Sequence, residues 1–550
     1  MSDSYELSFL PGTPPEEILK WEHGYRKTVE DGMVIEWDAA VPMRDGVRLF
    51  TDIFTPEGAK EVPALIAWGT YGKQSPRGVY QRFIDNGGVK PEWMSRYTTF
   101  EAPDPLYWTR HGYAVIHVDP RGLWNSEGDA TFWSKEEAFD VYDLIEWTAK
   151  QPWCNGKVGL SGVSYLTIVQ WQVATLQPPH LAAINPWEGY NDSYRERAFH
   201  GGIPENVFMP RWLSNSKWSR GRVEDVLEMR RQHPFFDAYW QSKAPDLSKI
   251  TVPAYVVASW GDQGLHTRGT LEGFKQISSQ QKWLEVHARK KWETFMRPEW
   301  VEKQRTFFDH FLLGKDTEVL KWPKVNLEIR ERYYVGETRP EGEWPLKRTQ
   351  YTKLFLDAKS NSLAATAPQA TAQMSYDAQN GSAVFEHKFD QDTELTGHTK
   401  LRLWVSTSEG NDMDLFVAIY KLDTQGNRVP FAFFSVFEKG PAAQGWLRVS
   451  HRELDPVRST PEQPWLLHRQ ELPLKPEERV AVDIEVWPSC VLYRAGETLQ
   501  LVVQGRDFEY GNPAHGPTMG HGPLRNAGQH SIFTGGSCDS HLLIPVIPAK

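Results

Sequence analysis

The chain has 550 residues, 40% of them apolar and 24% charged, which suits about two to four folded domains and excludes a disordered, collagen-like or coiled-coil protein. Its formal charge is −10, from 61 basic and 71 acidic side chains, and no Lys/Arg-rich run is present, so nucleic acid is excluded as an expected partner. Aromatic residues make up 13%, with 24 tryptophans, so many large rings must be buried or line something.

The N-terminal segment has no basic flank before an apolar run, so neither a secretory nor a transit peptide is indicated. Three widely spaced cysteines, Cys154, Cys490 and Cys538, match no zinc motif and form at most one bridge. A reduced, cytoplasmic setting is therefore expected, with no membrane partner and no metal or other cofactor.

Val41 to Phe54 reads as an antiparallel hairpin about Asp45-Gly46, a dipeptide suited to a type I′ turn. Apolar strands of the doubly covered kind follow at Ala64–Trp68, Tyr113–Val118 and Lys157–Leu160. A capping-box pattern, Ser134-Lys135-Glu136-Glu137, opens a helix whose apolar face carries Phe139, Tyr142, Leu144, Ile145 and Trp147. From Val158 to Trp187 thirty residues pass without Asp, Glu, Lys or Arg. That run is long enough for a membrane span, but Ser161, Gln170, Gln172 and Pro178-Pro179 break it, and it reads as strand, helix, strand in a buried core.

About sixty residues, 190–250, then look helical and polar-aromatic, more than a crossover needs, and are read as a cap. Strands at Val256–Trp260 and Trp283–Val286 each precede a helix, so the first part of the chain is α/β with a parallel sheet. After Gly314 short β-type runs, from Val325–Ile329 to Leu499–Val503, indicate an all-β domain, a sandwich. The boundaries drawn are 1–189 and 251–315 for the α/β core, 190–250 for the cap and 316–550 for the β domain.

The sharpest chemical signal is Gly162-Val163-Ser164-Tyr165, between an apolar strand and a helix. A serine on such a tight turn is exposed as a nucleophile, and the N–H after it, at a helix start, faces developing negative charge. Leu166 stands where the G-x-S-x-G pattern has its second glycine. Asp262, just after the strand ending at Trp260, is placed to orient an imidazole, and Ser before Asp follows the chain order of α/β-hydrolases.

Those two segments, together with Asp119-Pro120-Arg121-Gly122, Ser126-Glu127-Gly128, Gly445-Trp446-Leu447-Arg448-Val449-Ser450 and Asp539-Ser540-His541-Leu542-Leu543-Ile544-Pro545, resemble the cocaine esterase and X-Pro dipeptidyl-peptidase-like serine hydrolases over about residues 35 to 548. The resemblance implies an α/β-hydrolase domain with an inserted helical cap, followed by a β jelly roll that helps to wall the active site. It also implies that Tyr71, in Thr70-Tyr71-Gly72-Lys73, completes an oxyanion hole with the Tyr165 N–H; the family usually has Asp where Gly72 stands.

After the last strand the family typically carries its catalytic histidine, but here the chain reads Val286-His287-Ala288-Arg289-Lys290-Lys291. His287 is the imidazole expected to face Ser164; His266, a lysine at 290 or 291, or no base at all are the alternatives. Asp119 and Arg121 are expected to form a structural ion pair or loop anchor.

The expected activity is hydrolysis of a small-molecule carboxylic ester or amide through an acyl-enzyme on Ser164, with Asp262 and His287 as partners. An X-Pro dipeptidyl-peptidase or acylase is the alternative, and a catalytically silent ligand-binding protein the alternative of another class. Oligomeric state is left open, a homodimer being one option. Eighteen of the 24 tryptophans precede residue 313; Trp68, which adjoins the Tyr71 turn, is expected to bind substrate, and so are Trp212, Trp218 and Trp240, which in the cap are expected to line a pocket above Ser164.

Overall fold

The computed structural model describes residues 5–18, 23–74, 84–434, 436–510 and 519–548. Its organising element is a mixed sheet whose strands are, in chain order, β1 (Met33–Pro42), β2 (Arg48–Pro56), β3 (Val62–Trp68), β4 (Ala114–Asp119), β5 (Cys154–Val163), β6 (Leu181–Trp187), β7 (Ala254–Ser259), β8 (Lys282–His287) and β9 (Val325–Arg332). The pairings run β1-β2-β4-β3-β5-β6-β7-β8-β9, antiparallel for the first two pairs and parallel thereafter. This order is consistent with an α/β-hydrolase. The continuous apolar runs are explained by helices covering both faces: Ala64, Leu65, Val115, Ile116, Val158 and Val257 are all buried.

The β1–β2 hairpin differs from expectation in its turn. Only Gly46 takes a positive φ, 88°, whereas a type I′ turn needs two such residues, and the closing bond runs from Met43 N–H to the Val47 carbonyl. The extra turn residue relieves Asp45 of a left-handed conformation that a side chain disfavours. β9 also departs from expectation: read as part of the β domain, it lies parallel on β8, with Leu284 opposite Val325.

α1 (Lys135–Ala149) begins as its sequence indicates, the Ser134 hydroxyl accepting from the Glu137 N–H at 3.0 Å. The Glu137 carboxylate does not complete a capping box. It is drawn inward to accept from the Trp68 indole, the Trp133 N–H and the Tyr165 hydroxyl. α2 (Tyr165–Ala174) is buried on every side, as a helix at the centre of a large core must be.

Between β6 and β7 lie a tight turn at Tyr194–Ala198 and three short helices, α3 (Phe208–Ser216), α4 (Val226–Gln232) and α5 (Ala238–Ser242). α6 (Thr267–Gln276) follows β7, while α7 (Lys291–Met296) and α8 (Pro298–Leu313) follow β8. The remainder is rich in antiparallel strands, among them Thr393–Thr407 paired with Val480–Tyr493 and Asp414–Leu422 paired with Thr498–Gln504. It has its own core, with Leu401, Leu403, Leu415, Val417, Ile484, Val503 and Leu542 buried. No helix among the described residues is long and apolar enough to cross a membrane. The three cysteines are free.

Candidate active site

Ser164 sits between β5 and α2 with φ 59° and ψ −113°, a conformation rare for a residue with a side chain. Gly162 makes this turn feasible: at its φ of 143° a Cβ would meet Leu166 Cβ at 2.5 Å. Leu166, in place of the second glycine of the common motif, thus occupies space that Gly162 vacates.

The imidazole that reaches Ser164 is His266. Its Nε2 lies 3.2 Å from Ser164 Oγ and its Nδ1 lies 2.5 Å from Asp262 Oδ2. The reason is local. The His266 and Thr267 N–H groups both bond to the Asp262 carbonyl, so the loop after β7 winds into a helical turn that puts residues 262 and 266 on one face. The loop is clamped from the strand-rich domain: a Cβ at Gly261 would lie 2.5 Å from the Ala432 carbonyl and one at Gly264 2.5 Å from Met519 Sδ, and Gln263 donates to the Pro488 carbonyl.

His287 is placed elsewhere. It ends β8 in register with Ser259; its Nε2 is 2.9 Å from Glu188 Oε1, its Nδ1 accepts from the Arg289 N–H, and its ring packs near Trp187 and Trp300. The expectation that His287 faces Ser164 is corrected on this geometry, because its ring is committed to Glu188 and the Trp187/Trp300 packing. Lys291, one turn further on, enters the cluster instead. Its Nζ is 3.2 Å from both Asp262 Oδ2 and His266 Nδ1. Lys290 turns away to Glu438.

This ion cluster is buried, and its titration follows from that. Burial first, then the Lys291 ammonium, lowers the His266 imidazole to about 4, so it is neutral at pH 7. Burial alone would raise Asp262; Lys291 and His266 outweigh it and hold the carboxyl well below its ordinary range. Burial pushes Glu101, whose carboxylate accepts from the Trp292 indole, up to about 7.

Burial pushes the Tyr71 phenol well above 10 against the opposing influence of Trp212 and Ser164 beside it, which keeps it a neutral donor. The Tyr165 N–H opens α2, where the helix supplies no acceptor for it. An aromatic box stands beside these groups. Trp212 stacks on Tyr165 at 5.9 Å and lies 4.8 Å from Trp133, while Tyr190 lies parallel to His266 at 6.1 Å.

Of the four tryptophans expected around Ser164, Trp212 alone stacks on Tyr165, the residue next to the serine. Trp68 lies beneath the site, bonded to Glu137; Trp218 stacks on Trp124; Trp240 packs in a separate cluster with Tyr194 and Phe199. Asp119 and Arg121 do not pair with each other: Asp119 holds Lys73, and Arg121 holds Asp140 and Asp45.

Comparison with known proteins fits this arrangement. Residues 45–223 match the family model of X-Pro dipeptidyl-peptidase (S15 family), and residues 318–543 match that of the X-Pro dipeptidyl-peptidase C-terminal non-catalytic domain. A crystal structure of a CocE/NonD family hydrolase from Staphylococcus aureus is 41% identical, with a TM-score of 0.92, covering 98% of this chain and 99% of that one. The chain belongs to the CocE/NonD family of hydrolases. Curated relatives are more distant: the cocaine esterase of a Rhodococcus species is 28% identical over 386 residues, 60% of this chain and 63% of that protein. A putative Xaa-Pro dipeptidyl-peptidase of Streptomyces avermitilis is 24% identical over 277 residues, 45% of this chain and 40% of that protein. The chain therefore aligns with less than two thirds of the length of these two curated relatives.

Within this CocE/NonD chain, sequence reasoning passed over Trp133, Tyr190 and Glu188. None has a motif; only tertiary packing brings Trp133 to Tyr165 and Trp212, Tyr190 to His266 and Glu188 to His287. The Asp262/His266 spacing of four did carry a signal, since that separation aligns two side chains once the segment is helical.

Proposed function

We propose that this chain is a serine hydrolase that cleaves small-molecule carboxylic esters or amides through an acyl-enzyme on Ser164. The observation that carries the reading is the unbroken contact from Asp262 through His266 to Ser164, with the Tyr71 phenol beside the serine. His266 holds its Nδ1–H toward Asp262, which leaves the Nε2 lone pair for the serine proton. As Oγ attacks the acyl carbonyl, the Tyr71 O–H and the Tyr165 N–H donate to the developing oxyanion. His266 then protonates the leaving group, and a water activated at the same nitrogen frees the acid.

The helices at 208–242 act as the cap, and the strand-rich region after residue 316 as a jelly roll that fixes the Asp262–His266 loop. The neutral imidazole on Ser164 favours an active enzyme over a silent binding protein.

A fluorophosphonate probe and a short p-nitrophenyl ester test this. Wild type is expected to label and to hydrolyse, S164A to do neither, and H266A to lose about 10⁴-fold or more in kcat. H287A is expected to lose far less. Folded wild-type protein that neither labels nor turns over, or H287A falling as far as H266A, overturns the assignment.

A further inference from the structure

Arg197, in the turn at Tyr194–Ala198, is 1% exposed. Its guanidinium has five donors. Nη1 meets the Met209 thioether at 2.6 Å, a weak acceptor, while Nε and Nη2 have no hydrogen-bond partner. No ion pair joins it to a carboxylate among the described residues. The other buried arginines of this region differ: Arg195 pairs with Asp192, and Arg268 with Glu196 and Glu485. A buried cation without hydrogen-bond acceptors is costly, and a ligand that supplied acceptors would relieve that cost.

The guanidinium lies on the aromatic box beside the serine. It covers the Trp133 ring at 3.9 Å and stands 5.6 Å from the Tyr190 ring; Trp133 contacts Trp212 and Tyr165, and Tyr190 contacts His266. The Glu137 and Glu224 carboxylates on this side are already engaged by protein donors. Glu137 accepts from Trp68, Tyr165 and Trp133, and Glu224 from Phe132, Tyr239 and Lys243. The groups at this wall without a hydrogen-bond partner, the Trp133 indole N–H and the Arg197 Nε and Nη2, are all donors, and the Arg197 fork has the shape that binds carboxylate in two parallel bonds. Met209 and Trp212 lie on the same helix, α3, so an incoming anion displaces a flexible thioether.

We propose that Arg197 is a binding residue for a carboxylate carried by the substrate near its scissile carbonyl, so that the preferred substrates are anionic esters or amides. The proposal rests on Ser164 being the nucleophile. Two placements of the anion are distinguishable: on the acyl side, as in p-nitrophenyl hemiglutarate, or on the leaving-group side, as in 4-acetoxybenzoate.

The test compares kcat/KM for these two esters with that for their uncharged counterparts, p-nitrophenyl methyl glutarate and methyl 4-acetoxybenzoate. Wild type is expected to favour one anionic ester by about 10- to 100-fold, the worth of a charge-assisted bidentate contact, mainly through KM. R197Q is expected to lose that preference and R197K to recover part of it. Equal rates on charged and uncharged esters in wild type, or an R197Q loss equal on both, overturns the proposal. Calorimetry with glutarate, 4-hydroxybenzoate and their uncharged amides supplies a readout independent of turnover. If neither acid binds wild type better than its amide, the proposal fails even should R197Q not fold. Binding of one acid without any ester turnover or Ser164 labelling supports Arg197 as an anion site while the hydrolase reading fails.

Discussion

Replacing Lys291 by glutamine isolates the electrostatics of the candidate triad. The ammonium lies 3.2 Å from His266 Nδ1, and a second positive charge at that distance opposes protonation of the imidazole by about 1.3 kcal/mol at the dielectric constant of water and about 5 kcal/mol at an effective value near 20. The smaller figure alone is about one pH unit. His266 acts as base only when neutral, so the acid limb of kcat/KM follows its titration. In wild type that limb is expected low, near the value of about 4 set by burial and Lys291. Removing the ammonium makes the protonated imidazole easier to form, so in K291Q the limb moves up by about one unit or more. K291R, which keeps the charge, is expected to stay near the wild-type profile. The assay is ester hydrolysis from pH 4 to 9, with fluorophosphonate labelling and a thermal melt to confirm folded protein. A limb that stays put or moves down in folded K291Q refutes the reasoning.

Y71F removes one of two oxyanion donors and is expected to lower kcat by about 10²–10³-fold with little change in KM; unchanged kcat would remove Tyr71 from the site. G162A places a methyl group against Leu166 at a positive φ, which is expected to cost about 3 kcal/mol from overpacking and strain, read as a lower Tm together with loss of Ser164 labelling. An unchanged Tm would mean that the turn relaxes freely.

Much of the architecture was legible because it rests on periodicity and local chemistry. The buried strands declared themselves as short apolar runs, and the Ser134 cap and the Ser164 turn each depend on residues within four positions. Where reading failed, the deciding partner was distant. The capping box at Ser134 looked complete, yet Glu137 is pulled away by Trp68 and Tyr165, donors 69 and 28 positions off. The strand at Val325–Arg332 has the texture of the β domain but finds its parallel neighbour in β8. Cap tryptophans could not be ranked, because the rings of Trp212 and Trp240 face different clusters although both belong to one short segment.

The candidate histidine divides the two kinds of information most clearly. The chain by itself determined that a serine stands on a strained strand-to-helix turn, that an aspartate follows a later strand, and that no histidine occupies the usual place near residue 291. It offered two imidazoles and favoured His287, the one nearer that place in the chain. Tertiary structure decided between them: β8 carries His287 to Glu188, while packing of the strand-rich domain against Gly261 and Gly264 winds the preceding loop so that His266 meets Ser164. A side chain's neighbours across the sequence depend on how separate elements pack, and that packing is a property of the whole core rather than of any local run of residues.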